Sequence, residues 1–152
     1  MELSSYPVVF SHSNPKQLVN HPRNIADDQI VACAEKGGVI GINGIGIFLG
    51  NNDIRTERIV EHIDYVVQLV GYAHVGVGLD CIFAEEEVKN FVEKHPDTFP
   101  AKYGFDKVAV AVPEQFQEIE NLLVLRGYSK KEINGILGEN FLRIAKIVWN
   151  KI

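Results

Sequence analysis

Val8-Val9-Phe10-Ser11-His12-Ser13-Asn14-Pro15, with His21-Pro22-Arg23-Asn24 close behind, decides how the chain is read. An apolar run leads straight into an imidazole, and the Ser, Asn and Pro that follow favour a turn over further strand. The pattern is that of a buried β-strand ending in a loop, with His12 where the loop begins. In α/β proteins ligands and chemistry collect at the carboxyl ends of strands. A histidine there is more often a hydrogen-bonded structural residue, so the rest of the chain has to separate the two.

Two further strands follow. Val39-Ile40-Gly41-Ile42-Asn43 is apolar on both faces, as a covered parallel strand is. His74-Val75-Gly76-Val77-Gly78-Leu79-Asp80 ends in a carboxylate. Between them Asp27-Asp28 opens one helix, carrying Ile30, Cys33 and Ala34 to Gly37-Gly38. Ile59, Ile63, Val66 and Val70 mark a second helix closed by Gly71. Strand ends recur about every 35 residues with a helix in each interval, the cadence of βαβ units and hence of parallel pairing. The expected strands are 7–11, 38–43 and 74–80. Residues 81–112 are irregular, with a short helix at Glu85-Glu86-Glu87. Helices after Pro113 and in the capping box Ser129-Lys130-Lys131-Glu132 complete the chain, with Gly138 punctuating the last of them.

Composition sets bounds on function. The 152 residues suit one domain, and 46% hydrophobic with 23% charged residues is ordinary for a globular protein. A net charge of −5 disfavours a nucleic-acid partner. No apolar run approaches the roughly 20 residues that cross a bilayer, and the first residues lack a signal-peptide profile. Cys33 and Cys81 form no CxxC pair, which suits a reducing, cytoplasmic setting. HExxH, P-loop and GxGxxG motifs are absent from the sequence.

Parallel strands bring His12, Asn43 and Asp80 to one end of the sheet. Imidazole and carboxylate on neighbouring strand ends suit metal-assisted hydrolysis. Arg23, on the loop after His12, has the planar fork to take a substrate carboxylate. Asn43 either touches substrate or closes a turn. His21 is expected to position the Arg23 loop, with Asn24 and Asp27 bracing it through backbone hydrogen bonds. His62 is placed on the polar side of its helix, and His74 and His95 are given structural or solvated roles.

These residues resemble the membrane (renal) dipeptidase family of zinc peptidases, in its bacterial style. The resemblance lies in Pro7–Ser13 and His21–Asp28, then His62-Ile63-Asp64-Tyr65 with Val70-Gly71. Val75–Asp80 and the Gly138-Glu139-Asn140-Phe141-Leu142-Arg143 motif continue it in order. It implies a (β/α)8 TIM barrel cleaving dipeptides at a two-zinc centre, with His12 a zinc ligand, Arg23 on the substrate carboxylate, and Asp80 handling the proton. The family's second carboxylate after the last strand is replaced in Asp80-Cys81-Ile82-Phe83, and its HxD pair, bridging Glu and further His have no counterpart here. The chain is therefore expected to be a single C-terminal segment, strands six to eight, inactive and incompletely metallated alone. Exposed sheet edges would be covered by the missing N-terminal part or by self-association. A metal amidohydrolase acting on another small amide, and a non-catalytic self-associating half-barrel, are the alternatives.

Overall fold

The structure, a computed structural model, describes residues 4–149. Three strands, β1 (Val9–Phe10), β2 (Val39–Ile42) and β3 (Val75–Val77), form a parallel sheet in the order β1-β2-β3. Val9 pairs with Val39, and Ile40, Gly41 and Ile42 pair with Val75, Gly76 and Val77. All three strands are shorter than expected. Pro7 has no N–H to give a ladder, and His74 belongs to a 3-10 turn, Tyr72–His74. At the other end Ser11 leaves the sheet. Beyond β3 the hydrogen bonds continue, from Gly78 N–H to Ile42 O (2.9 Å) and from Gly44 N–H to Leu79 O (3.0 Å).

Helices α1 (Asp27–Glu35) and α3 (Thr56–Val70) connect the strands, with a short α2 (Gly46–Leu49) between β2 and α3. Strand alternation sends Ile40 and Ile42 into the helical layer. There they join Ile30, Ile59, Ile63 and Val66 in one fully buried core. The expected stripe on α3 is present, but His62 corrects the sequence reading: it is fully buried, not on a polar side. Position 62 is three residues after Ile59 and four before Val66, so helical geometry places it in that same stripe. Its Nε2 lies 3.3 Å from Leu49 O, at the carbonyl end of α2. Its Nδ1 is buried with no partner, and burial pushes the imidazole down to about 4.

Residues 81–112 contain α4 (Glu85–Lys94) and return to the core through an antiparallel bridge between Ile45 and Val110. Helix α5 (Gln115–Leu125) packs Ile119 and Leu123 inward. The Ser129–Glu132 capping box opens α6 (Lys130–Asn134) as expected. At Gly138 the chain does not stop: a π-helical turn (Gly135–Glu139), non-helical at Gly138, leads into α7 (Asn140–Trp149). That turn aims Asn140 and Arg143 at the amino-terminal end of the sheet. Asn140 Nδ2 donates to Tyr72 O (2.7 Å) and Val75 O (2.8 Å), and Arg143 donates to Gly37 O (2.9 Å) and Ala73 O (2.8 Å). The Phe141 ring lies on Gly41 and Gly76, where any Cβ would approach it to 3.0 and 2.2 Å. No helix among the described residues is long and apolar enough to cross a membrane.

Candidate active site at the carboxyl ends of the strands

The face of the sheet turned away from α1 and α3 carries Gly41, Gly76 and Gly78. After Phe10 the backbone crosses this face, and Ser11 O lies where a Cβ would stand: 2.3 Å from one built on Gly41 and 2.0 Å from one on Gly78. His12 Cα is 3.4 Å from that same point at Gly78. Ser13 N–H then donates to Gly41 O (2.7 Å). Two absent side chains thus let the first strand end lie across the other two, bringing His12 toward Asp80. The His12 imidazole is exposed. Its Nδ1 is 2.7 Å from Ser11 Oγ, and Nε2 has no partner among the described residues.

Asn43 follows β2 and is fully buried. Its Oδ1 accepts from Ile45 N–H (2.6 Å), and its Nδ2 donates to Asp80 Oδ2 (3.3 Å). Asp80 is exposed and left-handed, with φ +60°, a conformation that Asp tolerates better than most residues and that clusters at functional sites. Sequence reasoning gave no role to Asn14. It is fully buried; its Oδ1 accepts from Asn43 N–H (2.9 Å) and its Nδ2 donates to Asn43 O (3.2 Å). The side chain of one strand end thus pairs with the backbone of the next, as a ladder residue would. A buried-strand reading followed by Asn-Pro hinted at a turn and nothing more.

Arg23 sits on a loop fastened to the same strand end. Ile25 N–H donates to Asn14 O (2.9 Å) and Lys16 N–H to Ile25 O (2.8 Å). His21 is buried against the Phe48 ring, centroids 4.8 Å apart, and its Nδ1 accepts from Arg23 N–H (3.2 Å). Burial lowers its pKa, so it stays a neutral acceptor there at pH 7. Asn24 Nδ2 donates to Val19 O (2.9 Å) and Phe48 O (3.0 Å), bracing the loop as expected. Asp27 does not: its Oδ2 accepts from the Tyr65 hydroxyl (2.7 Å), a bond that pushes Tyr65 up to about 12. The Arg23 guanidinium is exposed, 5.9 Å above the Phe48 ring, and no carboxylate among the described residues pairs with it. No hydrogen bond or ion pair among the described residues joins its side chain to His12, Asn43 or Asp80.

The remaining polar candidates lie apart from this group. His74 Nδ1 lies 2.9 Å from Gly38 O and His95 Nδ1 2.7 Å from Phe91 O. Cys33 is buried in the core, and Glu85, Glu86 and Glu87 are exposed. Among the described residues no three His, Cys, Asp or Glu side chains gather as a metal-binding group.

A family model described as membrane dipeptidase (peptidase family M19) matches residues 1–97. The chain is 31% identical to dipeptidase ataJ of Aspergillus terreus, over 96% of this chain and 32% of that protein. A crystal structure of an amidohydrolase from Pseudomonas aeruginosa superposes with a TM-score of 0.81 at 26% identity, over 97% of this chain and 47% of that one. A Rhodobacter sphaeroides metallo peptidase, solved with a phosphinate mimic of the dipeptide L-Ala-D-Ala, shares the fold with a TM-score of 0.68 at 20% identity, over 97% and 38%. The chain spans about a third to a half of the length of the curated relatives it matches. With a family model covering well over half its residues, the chain belongs to the membrane dipeptidase family, peptidase family M19.

Proposed function

We propose that these βα units are strands six to eight of a (β/α)8 barrel, forming one segment that supplies part of a zinc dipeptidase centre. The observation that carries the reading is the joint placement of His12 and Asp80 at one end of a parallel sheet, with an unpaired Arg23 on the adjoining loop. Exposed His12 has a free Nε2, and Ser11 holds its other nitrogen, the orientation a ligating imidazole needs. These donors suit zinc in kind but not in number, since catalytic zinc takes about three protein ligands. The remaining ligands of a two-ion centre would come from the other strands of the barrel. Bound zinc supplies Lewis acidity and a water of lowered pKa.

This chain's own residues do the rest. Arg23, with no competing carboxylate, takes the carboxylate of the dipeptide in a bidentate grip. Asp80 keeps Oδ1 free while Asn43 holds Oδ2, so one oxygen can accept the proton released during attack and return it to the leaving amine. The dipeptide mimic bound to the Rhodobacter sphaeroides protein and the name of the Aspergillus terreus relative favour this substrate class. Hydrolysis of another small amide is the second reading. It is favoured by the likeness to a protein named an amidohydrolase, and by Cys81-Ile82-Phe83 where the family often carries a second carboxylate.

The test is hydrolysis of a panel of dipeptides and N-acyl amino acids with added zinc, by the chain alone and by the chain reconstituted with the first five βα units of a relative. Dipeptide turnover confined to the reconstituted enzyme and lost with Asp80→Asn is the expected result. Turnover that Asp80→Asn and Arg23→Ala leave intact would overturn the assignment, and acyl-amino-acid turnover alone would select the second reading.

A further inference from the structure

We infer that Asn43 is a positioning residue for the Asp80 carboxylate and that Asn14 holds it in place, a chain of contacts that joins all three strand ends. The inference rests on the reading of Asp80 as the proton-handling group.

The orientation of the Asn43 amide follows from its neighbours. Ile45 N–H can only donate, so the atom facing it at 2.6 Å must be the oxygen. The nitrogen is therefore the atom directed at Asp80 Oδ2, and a flipped amide would leave an N–H facing an N–H. Asn14 fixes the Asn43 main chain by bonding both its N–H and its carbonyl, and the Ile45 N–H holds the amide itself. Both asparagines are fully buried, whereas the carboxylate they serve is exposed. An exposed carboxylate on a left-handed residue would otherwise sample several rotamers. A donor fixed on the neighbouring strand selects one and leaves Oδ1 without a partner among the described residues. Asn43, expected from the sequence to touch substrate or to close a turn, closes a turn through Oδ1 and reaches Asp80 through Nδ2.

Two measurements test this, the first needing no activity. In NMR spectra of this chain, NOEs should connect the Asn43 side-chain amide protons to the Asp80 Hβ protons, and the amide shift should move in Asp80→Asn. Asn14→Ala should weaken those NOEs while leaving the core resonances in place. Absent NOEs, or an amide shift indifferent to Asp80→Asn, would overturn the positioning role whatever Asp80 does. The second uses the reconstituted enzyme and Asn43→Asp, which retains the acceptor for Ile45 and loses the donor. We expect kcat to fall about tenfold with KM unchanged. The acid limb of the kcat profile should move to higher pH, because a second carboxylate disfavours ionisation of the first. A change confined to KM would make Asn43 a substrate contact and refute the inference. If Asp80→Asn retains turnover while the NOEs are present, the catalytic reading fails and the positioning contact stands.

Discussion

The two ends of this small sheet spend their polar side chains in opposite ways. At the amino-terminal end Asn140 and Arg143 reach back from α7 and give four hydrogen bonds to backbone carbonyls of Tyr72, Val75, Gly37 and Ala73. Each of those donors is consumed by the fold. At the carboxyl end His12, Arg23 and Asp80 are exposed, and each keeps bonding capacity to spare. Their buried neighbours Asn14, His21 and Asn43 each bond a backbone group, and Asn43 also holds Asp80. One end exchanges polar groups for stability, and the other leaves them with bonds still to make.

That contrast can be broken by substitution, beginning with the largest effect. Asp80→Asn keeps a side chain that tolerates φ +60°, so unfolding free energy should change by less than about 0.5 kcal/mol, while kcat of the reconstituted enzyme falls about a thousandfold. An equal loss of stability, seen in urea denaturation, would erase the distinction between the ends. Asn140→Ala should do the reverse: two carbonyls lose their donor, destabilising the fold by about 3 kcal/mol with the His12 and Asp80 resonances unmoved.

His62 sharpens the comparison by adding a buried polar group that serves neither end. Its folded pKa, about 4, lies below the unfolded value of 6.5. Below pH 6.5 the unfolded chain gains a proton that the native one refuses, so stability should decline as pH falls from about 6.5 to 4. The loss is up to about 3 kcal/mol at 1.4 kcal/mol per pH unit. Denaturation midpoints measured at pH 7 and pH 5 should differ, and His62→Leu should remove most of the difference. Smallest is Arg23→Lys, which keeps the charge and forfeits the fork: KM should rise about tenfold with kcat unchanged.

What the sequence made legible was local. The alternation of apolar runs with a 3.6-residue stripe located every strand and α3, because those patterns are written within a few residues of one another. Ser129 and Glu132 announced their helix for the same reason. His62 was misplaced because its polarity was weighed above its position between Ile59 and Val66. Asn14 on Asn43, Asn140 on Tyr72 and Ser11 over Gly78 pair residues 29 to 68 positions apart, and no periodicity encodes such meetings. His12 and Asp80 could be brought together by counting parallel strands. The role proposed for Arg23 depended on motif likeness, since nothing in its spacing says what it would grip.

The crossing of Ser11 over Gly41 and Gly78 has a consequence for anyone altering this protein. A methyl group at either position would collide with a main-chain carbonyl, which has no rotamer to yield, and would push the imidazole-bearing segment off the sheet. A saturation screen scored by turnover would therefore rank two residues without functional groups beside the histidine and the aspartate. The exposed positions of 83–91 carry no such constraint, since a new side chain there meets solvent.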